Sequence, residues 1–168
     1  MLYSRLLIME ININCDLGEK SKFHSTENDP DLLSIVNSAN VACGYHAGDE
    51  ETMNKVIKIS KKNGVSVGAH PSFNDPDNFG RKRINLNSSE ITKLIIDQYK
   101  ILQEIAQNYD ENVTHIKPHG ALNNMACEDF NLANTIAKAI NSISKDIIFL
   151  VPTGSQMEIA ARKLDMKI

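Results

Sequence analysis

The chain has 168 residues, 42% of them hydrophobic and 23% charged, with 18 Lys and Arg against 21 Asp and Glu for a net charge of −3. That is the length of one domain or of part of a larger one, and with the eight glycines added the apolar share is near the globular average, which excludes wholesale disorder. Basic residues are scattered apart from Arg81-Lys82-Arg83, so nucleic acid is not an expected partner.

Cys15, Cys43 and Cys127 are odd in number and show no CxxC spacing, against both a disulfide framework and a thiolate zinc site. A reducing, cytoplasmic setting is expected. Residues 1–8 read as an N-terminal extension ahead of a single domain over 9–168, and the apolar run Leu6 to Met9 is too short for a signal-peptide core or a membrane span.

The first patterned run, Ile11 to Cys15, alternates with period two as a strand does. Asp29-Pro30 reads as an N-cap followed by a first-turn proline, opening a short helix to about Asn37. Ala39 to Ala42 is a second strand. Asp49 caps a helix with a Met53, Val56, Ile57, Ser60 stripe that Gly64 ends, and Val65 to Ala69 is the third strand. Residues 71–86 form a connection rich in Pro, Asn, Asp and Gly, of a length usually reserved for function. Asn87 with Glu90 spells a capping box, and Ile91, Leu94, Ile95, Tyr99, Leu102, Ile105 and Ala106 carry a helix to Asn108. A fourth strand spans about Thr114 to Pro118, and Leu132 to Ile140 is a fourth main helix. Ile147 to Val151 is a fifth strand, Gly154 to Lys163 a fifth helix, and Met166 to Ile168 the start of a sixth strand.

Strand then helix, five times over, implies a parallel sheet covered by helices. Asp16-Leu17-Gly18-Glu19-Lys20, after the first strand, has neither the GxGxxG nor the GxxxxGK[ST] spacing of a nucleotide-binding open sheet, so an irregular (β/α) TIM-like barrel is the better fit. Such barrels run to about 250 residues, so about five to six units here are an incomplete one.

In parallel α/β folds the loops after the strands open on one face, where active sites sit. Asp16 and Glu19 fall there, as do Gly44-Tyr45-His46-Ala47-Gly48-Asp49, His70-Pro71 and His115-Ile116-Lys117-Pro118-His119. Four of the five histidines are in this set. An extended run puts His115, Lys117 and His119 on one face, and an inward Lys117 needs a carboxylate such as Asp16 or a substrate anion, unless it reaches out to the rim. Asp16, His46 and His70 are candidate ligands for a divalent metal, though no HExxH-type spacing marks one. Asp49 is either a cap or a site acid. Arg81-Lys82-Arg83 either clamps a carboxylate or phosphoryl group or is a solvated cluster.

With those residues in view, the chain resembles the LamB/YcsF family, which supplies the A subunit of the prokaryotic ATP-dependent 5-oxoprolinase. The resemblance runs from Ile11 to the end and rests on Asn14-Cys15-Asp16-Leu17-Gly18-Glu19, on Ser38-Ala39-Asn40-Val41-Ala42-Cys43-Gly44-Tyr45-His46-Ala47-Gly48-Asp49, on Gly68-Ala69-His70-Pro71, on Phe79-Gly80-Arg81 and on His115-Ile116-Lys117-Pro118-His119-Gly120-Ala121-Leu122. It implies a barrel akin to the polysaccharide deacetylases and a hydrolase that opens the lactam 5-oxo-L-proline to L-glutamate at the expense of ATP, with subunits B and C as partners. On this reading Asp16, as base or water-orienting group, acts with His46, His70, Lys117 and His119 in catalysis, while Glu19, Asp49, Arg81, His115 and Asn124 contact substrate. Two departures stand out: Leu122-Asn123-Asn124 replaces the family's usual Leu-Tyr-Asn, and Lys20-Ser21-Lys22-Phe23 replaces a glycine-aromatic pair. The resemblance also implies that the chain is C-terminally truncated relative to the family, a late His-Gly-Asp segment being expected beyond the point where it ends. Two other readings stand beside the first: a metal-dependent amide or deacetylase-type hydrolase acting alone, and a truncated, non-catalytic member that binds partner subunits or itself.

Overall fold

The computed structural model describes residues 11–168, so the extension expected over residues 1–8 lies outside the described residues. Five parallel strands pair in chain order, β1 (Asn14–Leu17), β2 (Ser38–Ala42), β3 (Ser66–His70), β4 (Val113–Ile116) and β5 (Ile148–Phe149). Consecutive order with no reversal is the order of a barrel wall; a doubly wound sheet would switch direction part-way. The wall is unclosed among the described residues, β1 and β5 forming its two edges.

Helices α1 (Asp29–Leu32), α2 (Glu50–Asn63), α3 (Ser88–Gln107), α4 (Gly120–Glu128), α5 (Phe130–Ile143) and α6 (Gln156–Lys163) complete the architecture. The cap signals act where the sequence places them. Asp49 accepts from the Thr52 amide at the start of α2, and Asn87 and Glu90 form the reciprocal capping box of α3. Leu17, Val41, Ala69 and Ile116 leave the sheet on its helix side, where they join Ile57, Ile95, Leu102, Ile136 and Ile140 in one buried core.

Several elements depart from the expectations. The first strand starts at Asn14 and runs to Leu17, because Ile11 and Ile13, on the same phase as Leu17, meet no cover and are 76% and 51% exposed. Asp29 lies inside α1 rather than capping it, and its carboxylate accepts from the Gly18 amide (2.9 Å), tying down the turn that carries Glu19. The fifth strand is only two residues long, cut off ahead of Pro152. Met166 to Ile168 is not a strand, although the Phe149 amide donates to the Lys167 carbonyl (2.9 Å) as a first rung would. Helix α4, at the mouth of the barrel, is an element that the apolar pattern did not signal, since Asn123 and Asn124 interrupt its stripe. No described helix is long and apolar enough to cross a membrane.

Candidate active site

The strand phase that turns away from the helices is polar. Asp16, Asn40, Gly68 and His115 are aligned across β1 to β4 by the register of the sheet. The Asn40 amide donates to Asn14 Oδ1 and to Asp16 Oδ1 (2.8 Å each), and its oxygen accepts from His115 Nε2 (3.1 Å). Thr114 then serves His115 Nδ1 (2.9 Å), so this neutral ring has both nitrogens paired. Gly68 opposite must be glycine, because a Cβ there would stand 2.1 Å from the His115 ring. Burial first, then the charges of His70 and Lys117, lower the His115 pKa to about 4.

Above this layer Lys117 Nζ donates to both Asp16 oxygens, at 2.6 and 2.9 Å. Burial pushes the Asp16 carboxyl up, but hydrogen bonds and charge from a protonated His70 ring and from the Lys117 ammonium prevail and hold it well below the usual carboxylate range. Asp16 is therefore a fixed anion and a poor proton acceptor. His70 Nδ1 donates to the Lys117 carbonyl (2.6 Å), leaving Nε2 to face Asp16 Oδ2 at 3.4 Å. His119 Nε2 donates to the Phe79 carbonyl (3.0 Å), leaving Nδ1 at 3.0 Å from His70 Nε2 and 3.3 Å from Glu19 Oε1. Burial, with the charges of His46 and His70, lowers the His119 pKa to about 4.

Gly80, at φ 65°, lets the long loop pass between these rings, for a Cβ would meet Ser72 Oγ at 2.1 Å and the His46 Cβ at 2.9 Å. The same loop is held from below by Gln98, whose side chain accepts from the Ser72 amide (3.0 Å) and donates to the Ser72 carbonyl (2.8 Å).

A cavity of about 460 Å³ opens on this face, walled by Asp16, His70, Lys117, His119, Arg81 and Asn123 among others. The expected site residues divide around it. Asp16, His70, Lys117, His119 and Arg81 face the cavity. Glu19 and His46 stand behind, joined to each other (Nε2 to Oε1, 3.3 Å), with the buried His46 ring stacked on His119 at 4.0 Å between centroids. His115 lies below, sealed from the cavity by its own network. Asn124 points to solvent, and its neighbour Asn123, at the position of the family's usual tyrosine, lines the cavity instead. Asp49 is remote from the cavity, capping α2 and pairing with Lys20 (3.1 Å).

Asn40, Gln98 and Asn123 were missed as site residues. The period-two polar phase of β2, Ser38 and Asn40, is the signal that would have found the first. For a metal, Asp16, Glu19, His70 and His119 each offer one donor atom, all within 4.8 Å of one another, whereas His46 does not join them.

Residues 11–168 match the LamB/YcsF family. The chain belongs to that family. The 5-oxoprolinase A subunit of Nitrobacter hamburgensis is 42% identical over 161 residues, 95% of this chain and 63% of that protein. The corresponding protein of Natranaerobius thermophilus is 40% identical over 94% of this chain and 62% of its own length. Among solved structures, the lactam utilization protein from Thermus thermophilus superposes with a TM-score of 0.90 at 33% identity, over 95% of this chain and 64% of that one. The LamB/YcsF chain thus spans a little under two thirds of the length of these relatives.

Proposed function

We propose that this LamB/YcsF chain is the lactam-opening component of an ATP-dependent 5-oxoprolinase, converting 5-oxo-L-proline to L-glutamate together with subunits B and C. One observation carries the reading: a small cavity at the carboxyl ends of the strands joins two cations, Lys117 and Arg81, to a cluster of carboxylate and imidazole acceptors. A cyclic amide bearing a carboxylate needs both. Arg81, exposed at the rim, is placed for a bidentate contact with the substrate carboxylate. Lys117, fixed by Asp16, is placed for the oxyanion that develops at the lactam carbonyl. The Asp16, Glu19, His70 and His119 set is where the attacking water is activated. Water adds its oxygen to the carbonyl carbon, the ring C–N bond breaks, and the nitrogen leaves protonated as the α-ammonium of glutamate. Uncoupled ring opening is unfavourable near neutral pH, which is the reason to couple it to ATP with the partner subunits.

The test is ATP-dependent glutamate release from 5-oxoproline by this chain mixed with subunits B and C, beside a full-length relative as positive control. Release above the B-plus-C background is expected, and Asp16→Asn, which frees Lys117, lowers it by about 10² or more. No release with the control active would replace this reading with that of a non-catalytic family member.

A further inference from the structure

With both rings neutral, as metal ligands must be, the four atoms around the cavity's inner wall form a set of acceptors without a donor. His70 has committed Nδ1–H to the Lys117 carbonyl and His119 its Nε2–H to the Phe79 carbonyl. Each ring therefore presents a lone pair to the other, 3.0 Å apart. Glu19 Oε1 lies 3.3 Å from His119 Nδ1 and 3.7 Å from His70 Nε2, and Asp16 Oδ2 lies 3.4 Å from His70 Nε2. Lone pairs at such distances repel unless a cation or a shared proton sits among them. The distances state which kind. A tetrahedral shell with ligands at ~2.0–2.1 Å spaces them ~3.3–3.4 Å apart, in the middle of the four separations of 3.0 to 3.7 Å, and the remaining pairs lie within 4.8 Å.

We propose that Asp16, Glu19, His70 and His119 bind one divalent transition-metal ion of the zinc class. The backbone carbonyls that fix both histidine tautomers are the outer partners such a site requires, and His46, bonded to Glu19 and stacked on His119, is a third. Lys117 takes the outer side of Asp16 and leaves Oδ2 a lone pair for the ion. Within the ligand cluster itself, apart from Arg81 at the rim, two carboxylates against one ammonium leave one negative charge in surplus, which the ion reverses. Three of the ligands line the cavity, so the ion faces substrate across them, and a water or carbonyl oxygen would be polarised there as a fifth ligand when the shell expands. The site supplies the water-activating group of the reaction proposed above and rests on that reading for its chemistry, while binding is measured without turnover.

The experiment dialyses the intact chain against chelator, adds Zn²⁺ or Co²⁺, and reads bound metal by elemental analysis and cobalt coordination by visible absorption. About one ion per chain is expected, with the intense bands of four-coordinate cobalt and a rise in melting temperature on loading. Glu19→Gln, which keeps shape and removes charge, is expected to lose stoichiometric binding, and His46→Gln to weaken it ~10–100-fold. His24→Ala, at an exposed histidine outside the cluster, is expected to bind as the parent does. A parent chain that retains no metal and leaves cobalt six-coordinate would overturn the site in favour of a proton shared between His70 and His119. Unchanged binding in Glu19→Gln would overturn the ligand set. Metal bound without glutamate release would sink the lactam reading and leave the site standing.

Discussion

The two faces of the sheet are built by opposite rules. On the helix side, Leu17, Val41, Ala69 and Ile116 pack against aliphatic neighbours, where any residue of similar volume serves. On the inner side, Asp16, Asn40, His115 and Lys117 form a chain of hydrogen bonds in which each group is satisfied by particular named partners. Removing a methylene from the first face costs packing; removing one atom from the second strands a buried polar group elsewhere. The outer face therefore sets stability, and the inner face sets where charge sits.

The strongest break of that contrast is Ile116→Ala. Ile116 is fully buried, so the change is expected to cost ~2–5 kcal/mol in urea unfolding while the fraction still folded keeps its ligand geometry. On the inner face, Gly68→Ala drives a methyl into the His115 ring and is expected to cost ~1–3 kcal/mol. Adding His115→Ala should recover part of that cost, a coupling that a double-mutant cycle reads and that no outer-face pair reproduces. Asn40→Ala leaves Asn14, Asp16 and His115 each short of a partner and should cost ~1–3 kcal/mol, with metal affinity and activity falling together.

The smallest effect lies outside both faces. Hydrogen bonds from the Thr52 hydroxyl and amide, with Lys20 nearby, lower the Asp49 pKa from 3.8 to about 2. Because the folded value is the lower one, the cap contributes fully above the ordinary carboxylate pKa and is lost as the pH falls through about 2. Asp49→Asn should keep the cap and flatten stability over that interval, whereas Asp49→Ala should cost ~1 kcal/mol at neutral pH. Thermal melts at stepped pH distinguish the two.

The outer face was legible in the sequence because its periodicity is local: the stripe of α3, the caps at Asp49 and Asn87 and the turn at Gly64 each act within one element. The inner face was legible only as residue types at strand ends. Asp16, His70, Lys117 and His119 could be placed on one rim, but the side of each ring that faces its neighbour is decided by carbonyls of Phe79 and Lys117, which no side-chain pattern encodes. His46 and Glu19 could not be told from cavity-lining groups for the same reason, their depth being set by the path of the Gly80 loop. Helix α4 was hidden because its buried stripe is only Ala121, Leu122 and Ala126. Gln98 was hidden because it occupies a core position in α3 that an apolar template skips.

That glutamine fixes one wall of the cavity mouth. Its amide grips both backbone groups of Ser72 from within α3, so the stretch from Pro71 to Arg81 cannot swing open without breaking bonds to the longest helix of the molecule. This side of the gateway is then a fixed notch, and on the proposed function capture is expected to proceed by diffusion past a preformed wall. Amide exchange at Ser72 should be as slow as in the middle of α3, although by position in the chain it is the second residue of a long surface connection.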